Sequence, residues 1–114
     1  MVVYGIKNCD TVKKAVNWLK ANNHAFEFHD YKKEGITKDK LQSWSKQVGW
    51  EKLLNRKGTT WRKLSEETRN SVTDQTHAVQ VMLSHTSIIK RPVIEKEGEV
   101  LAVGFDEATY STIL

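Results

Sequence analysis

Hydrophobic and polar positions alternate with three different rhythms along the chain. Val2-Val3-Tyr4-Gly5-Ile6 is a short apolar run that predicts a buried strand. A polar stretch, Lys7-Asn8-Cys9-Asp10-Thr11, follows it. Val12, Ala15, Val16 and Leu19 then recur at the spacing of one helix face, with Asp10 or Thr11 as the expected N-cap and an end near Asn22-Asn23. Residues 25–31 alternate and are rich in aromatics, which predicts a second strand. A strand, a helix and a strand this close together make a βαβ unit with a parallel pair and a right-handed crossover.

The next stretch changes period. Lys32 to Gly35 read as a charged turn. Thr37 then opens a helix carrying Leu41, Trp44 and Val48, with Gly49 stopping it. Glu51–Leu54 form a helical turn, Asn55–Thr60 a polar loop, and Trp61 with Leu64 another short helix. Asp74 caps a helix carrying Ala78, Val79, Met82 and Leu83. Beyond it, Val93-Ile94-Glu95 and Val100–Val103 flank Lys96-Glu97-Gly98-Glu99, the pattern of an antiparallel hairpin. The only proline, Pro92, should begin a strand or occupy a special turn, because it cannot donate to a ladder. Phe105, Ala108, Thr109 and Ile113 suggest a closing helix. The order β-α-β, helices, β-β-α predicts an α/β fold with a mixed sheet flanked by helices, one domain over 1–114 with a helical insertion at about 36–86.

Composition narrows the chemistry. The 114 residues fit one domain, and 39% hydrophobic with 28% charged residues is the balance of a folded globule. No stretch approaches the roughly 20 apolar residues of a membrane helix. The first residues lack a basic segment leading into an apolar one, so no signal peptide is expected, and the cytoplasm is the expected compartment. Neither a membrane nor a nucleic acid is an expected partner. The net charge of +4 is modest, Lys38, Lys40 and Lys46 are spread around a helix, and Trp18, Trp44, Trp50 and Trp61 read as packing residues. His24, His29, His77 and His85 show no metal-ligand spacing, so no metal and no tightly bound cofactor are expected.

One cysteine excludes a disulfide within the chain and suits a reducing compartment. A free cysteine is by default a small buried apolar residue. Cys9, however, has polar neighbours and sits where a strand gives way to a helix, so the helix N-terminus favours its thiolate. Lys7, Lys13 and Lys14 are expected to add positive potential, with Asp10 opposing them. Of the four arginines, Arg62 and Arg69 read as solvated surface charges. Arg56, in a polar loop, and Arg91, beside Pro92, are the candidates for holding an anion.

Three motifs carry a family resemblance. Tyr4–Ala15, containing Cys9, resembles the cysteine segment of the arsenate reductase (ArsC) family; Leu53–Leu64 resembles its middle motif, and Ile89–Ile94 its second motif. The nearest likeness is to the YffB-like branch of glutathione-dependent thiol reductases. The resemblance implies a thioredoxin-like fold with a helical insertion, and a cis Pro92 beside the cysteine loop. It also implies Cys9 as the nucleophile, with Arg91, Arg56, Asn8, Thr11 and Pro92 at the substrate- or glutathione-binding site. In strict register the middle motif's arginine falls on Asn55, and Arg56 matches with a slip of one residue. The third family arginine falls on Val103, which cannot donate to an oxyanion and disfavours arsenate reduction. With no second cysteine in the chain, glutathione or another small thiol is the implied co-substrate, and a glutaredoxin-type protein a possible partner. The alternative is a protein-binding regulatory module resembling the Spx branch; its Cys-x-x-Cys switch is absent, since Cys9 is followed by Asp10-Thr11-Val12.

Overall fold

The first strand carries the sheet on both its sides. In the computed structural model, which describes residues 1–114, β1 (Val2–Gly5) pairs in parallel with β2 (Glu27–Asp30) and antiparallel with β3 (Val93–Lys96). β3 pairs antiparallel with β4 (Glu99–Val103), giving the order β2-β1-β3-β4. The hairpin turn has Glu97 at φ 51° and Gly98 at φ 83°. Two successive positive φ values match the right-handed twist of the strands they join. Leu101 is the extra residue of a bulge, since Ile94 pairs with Ala102 and Glu95 with Val100.

The chain divides into two compact units, Met1–Gly35 with Arg91–Leu114, and Ile36–Lys90. In the sheet unit, α1 (Asp10–Ala21) buries Val12, Ala15 and Leu19, while Val16 is only half-buried. Ala15 and Leu19 join Val3, Ile94 and Tyr110 in one core. Gly5 sits against α1: a Cβ there would lie 2.9 Å from Val12 Cγ2. The expected caps, Asp10 and Thr11, are already inside the helix. Cys9 is the N-cap residue, and no side-chain oxygen caps the turn.

Two further expectations are corrected in this unit. Residues 31–34 form a short helix, α2 (Tyr31–Glu34), rather than a strand end and a turn. Asp30 nucleates it by accepting from the Lys32 N–H at 2.8 Å, while its own N–H donates to Glu34 Oε2 at 3.1 Å. The closing helix, here named α8 (Glu107–Ile113), turns a different face inward from the one its apolar spacing suggests. Ala108, Thr109 and Ile113 are exposed, and Tyr110 is buried. Tyr110 packs edge-on against Trp18 and Phe105, and its hydroxyl donates to the Gly104 carbonyl. One large aromatic whose hydroxyl reaches a backbone acceptor outweighs two small side chains and one isoleucine.

The helical unit contains α3 (Lys38–Val48), α4 (Trp50–Leu53), α5 (Thr59–Lys63), α6 (Glu66–Ser71) and α7 (Gln75–Ser84), then a 3-10 turn at Thr86–Ile88. Thr37 and Asp74 cap α3 and α7 as expected, accepting from Lys40 and His77 N–H. Gly49 ends α3 at φ 89°. Leu41, Trp44, Leu53, Ala78, Val79 and Met82 are buried, each large apolar chain stabilising by about 1.5–3 kcal/mol. Leu54 bridges Ile89, Asn55 N–H donates to Ile88 O, and Lys90 N–H to Leu53 O, both at 2.7 Å. Arg62 and Arg69 are more than solvated charges. Arg62 donates to the Lys57 carbonyl, and Arg69 to the carbonyls of Arg62 and Leu64. No helix is long and apolar enough to cross a membrane.

The close approach at Gly5 gives a stability test. Gly5→Ala is expected to overpack the β1–α1 contact by about 1–3 kcal/mol and to lower Tm by several degrees. Thermal unfolding should show the loss, and Val12→Ala in the same chain should recover part of it.

Candidate active site

An α-helix begins with amide hydrogens that no carbonyl of the helix can accept. At the start of α1 the residue facing them is Cys9, half-buried, with extended backbone at φ −113° and ψ 124°. Its carbonyl accepts from Lys13 N–H at 3.0 Å, so the cysteine is tied into the first turn. Burial pushes the thiol up. Against it act a hydrogen bond from the Val12 N–H, a hydrogen bond from the Arg91 guanidinium with its charge, and the Thr11 N–H. The balance holds the Cys9 thiol below its ordinary value. The groups acting on the sulfur are therefore backbone amides and one arginine. The expected help from Lys7, Lys13 and Lys14 is not among them.

Arg91 is fixed by its place in the chain. It directly precedes Pro92, the Arg91-Pro92 peptide is cis, and Val93 starts β3. The Pro92 carbonyl accepts from Gly104 N–H at 2.7 Å, and Val93 pairs with Val103, so the end of the hairpin anchors this turn. Tyr31, the first residue of α2, is buried close enough for the Arg91 charge to act on its phenol. Burial pushes that phenol up, Arg91 pulls it down, and Tyr4 pushes it up again. Tyr4 in turn donates to the buried Glu95 at 3.2 Å and packs against His29, with ring centroids 4.8 Å apart.

Of the sequence-predicted site residues, Cys9, Thr11, Arg91 and Pro92 come together in the sheet unit. Thr11 contributes through its backbone N–H. Asn8 is exposed in the turn before Cys9. Arg56 belongs to the helical unit, with its guanidinium 5.7 Å from the Trp50 ring centroid. It lines a groove of about 260 Å³ with Asn55, Lys57, Lys90, Glu51 and Leu54. Asn55, the competing position for the motif's arginine, has its side chain committed to the Lys57 N–H at 3.1 Å. Val12 and Tyr31 carry no site signal in the sequence. A backbone donor leaves no residue-type signal, and the alternation over residues 25–31 places Tyr31 in a strand.

The histidines hold local roles. His77 bonds Asp74 at 2.7 Å and His29 the Gly35 carbonyl at 2.7 Å. No group of three or more His, Cys, Asp and Glu side chains is placed to hold a metal.

The ArsC family model matches residues 4–113. The chain belongs to the ArsC family. An uncharacterized protein of Haemophilus influenzae is 44% identical over 110 residues, covering 96% of this chain and 95% of that protein. A solved structure described as the YFFB protein superposes with a TM-score of 0.92 at 46% identity, over 99% of this chain and 97% of its own. The arsenate reductase (ArsC) related protein from Brucella melitensis does so at 0.78 and 50% identity, covering 97% and 91%. The ArsC-family fold predicted from the three motifs is thus the fold observed, a mixed four-stranded sheet flanked by helices.

The site makes a pH prediction. A thiol with a depressed pKa in the folded chain adds stability that is full above the unfolded thiol's pKa and lost as pH falls through the folded value. The stability of wild type relative to Cys9→Ser should therefore grow as pH rises between those two values. Arg91→Gln should raise the thiol pKa and narrow that window. Ultraviolet absorbance of the thiolate against pH, with denaturant unfolding at each pH, checks both.

Proposed function

We propose that this ArsC-family chain is a monothiol oxidoreductase, a glutathione-dependent thiol reductase in which Cys9 is the nucleophile. The observation that carries the reading is the environment of the sulfur: α1 amides and Arg91 favour the thiolate. In the proposed cycle the Cys9 thiolate attacks one sulfur of a glutathione mixed disulfide. The S–S bond breaks, a Cys9–glutathione disulfide forms, and the other sulfur leaves as a thiolate that takes a proton from water. A second glutathione attacks that disulfide, regenerates Cys9 and leaves as oxidised glutathione. One free glutathione is thus consumed for each mixed disulfide reduced, and it leaves joined to the glutathione that the substrate carried.

The single cysteine requires the second thiol to come from outside, and glutathione supplies it in the cytoplasm, the proposed compartment. Arg91 is proposed to pair with a glutathione carboxylate as well as to favour the thiolate, with Asn8, Thr11 and Pro92 framing the same position. Arg56 keeps a proposed anion-holding role in its own groove. Arsenate reduction fits less well. Val103 lies beside the Pro92 turn, paired with Val93, and offers no donor where the resemblance calls for an arginine.

Mass spectrometry after exposure to oxidised glutathione should find one glutathione adduct, on Cys9, and none in Cys9→Ser. In a reductase assay against glutathione concentration, Arg91→Gln should lower turnover and weaken saturation together. Alkylation of wild-type Cys9 with the pH profile of an ordinary thiol, and no adduct, would overturn the proposal.

A further inference from the structure

A groove of about 330 Å³ opens between α1 and the edge strand β2, lined by Lys7, Val12, Lys13, Val16, Asn17 and Phe28. It adjoins the thiol loop: Lys7 is two residues before Cys9, and Lys13 N–H bonds the Cys9 carbonyl. Its floor is apolar, made of Val12, Val16 and a half-buried Phe28. Its rim holds two lysines and no carboxylate. A third lysine reinforces it. Lys7 follows β1, and the charge of Lys33, on α2, acts on it. The carboxylate that acts on Lys7 is Asp30, already engaged by the Lys32 N–H, and Asp10 lies exposed at the start of α1. Lysines beside an apolar floor are complementary to an anion that carries an apolar group. Glutathione has no apolar side chain to place on that floor. Two valines and a single phenylalanine do not make a platform for stacked bases. The volume admits one or two side chains.

We propose that this groove receives a polypeptide substrate, seating an apolar side chain over Val12, Val16 and Phe28 and an acidic residue at Lys7 and Lys13, next to the substrate's glutathionylated cysteine. The inference rests on the thiol-reductase reading and names its substrate class. Cys9 attacks the glutathione sulfur, and the polypeptide cysteine is the leaving thiolate.

The test uses short peptides in which Leu and Glu flank a cysteine, with counterparts carrying Lys for Glu or Ala for Leu. Serine versions are titrated first into Cys9→Ser protein, following the amide resonances of Val16 and Phe28. The Leu-Glu peptide should move those resonances and bind about fivefold tighter than either counterpart at low salt, with the Glu preference fading at high salt. Lys13→Glu should transfer the preference to the lysine peptide. Glutathionylated cysteine versions given to wild type should show the same ranking in kcat/KM, and Lys13→Glu should reverse the order of the Glu and Lys peptides. Equal binding of the peptides, shifts away from the groove, or tighter binding of an oligonucleotide would overturn the groove assignment. Ranked binding without any reaction at Cys9 would instead overturn the thiol-reductase reading.

Discussion

The amide hydrogens at the start of α1 are the constraint on which the site depends. A side-chain oxygen usually meets such groups. Here a sulfur does, because the N-cap residue is Cys9 and no side-chain oxygen competes for the turn. The arrangement exists only while β1 delivers the chain to that point at the right height. Gly5 sets that height by letting Val12 approach more closely than any side chain would allow. Helix, strand and thiol are therefore one unit of construction. The residue that looks least specific, a glycine at a strand end, is the one on which the position of the sulfur rests.

The second half of the site arrives from the other end of the chain. β3 returns antiparallel beside β1, and the turn before it brings Arg91 to the sulfur. Burial alone would favour the neutral thiol. Two backbone donors and a guanidinium reverse that preference, and none of the three is a mobile surface lysine. The same arginine acts on the buried Tyr31. Tyr31 is in place because Asp30 starts a helix at the residue where alternation suggested that a strand continued.

What was legible in the sequence follows from which forces leave a residue-type trace. The α1, α3 and α7 faces were readable because Leu19, Leu41, Trp44 and Met82 repeat at helical spacing, and Thr37 and Asp74 because cap residues have a distinctive chemistry. Pro92 was readable because it can stand in few places. The closing helix was readable from its apolar spacing but its buried face was not, because Ile113 is apolar yet exposed, whereas Tyr110 has both area and a hydroxyl with a partner. The α2 turn was misread because a single aspartate decided it against a local strand pattern. Within the site, Cys9 and Arg91 could be named in advance. The amides of Thr11 and Val12 could not, since every residue except proline carries one. Lysines near in sequence suggested a field that their geometry does not deliver to the sulfur.

Cys9 and Arg91 lie on opposite sides of the helical unit in the chain, so they meet only after all of it has been made. During synthesis the cysteine precedes the guanidinium that acts on it by the whole of that unit. A growing chain thus carries a thiol without that charge beside it. The reactivity belongs to the finished fold, and a chain cut short before Pro92 would not have it in full.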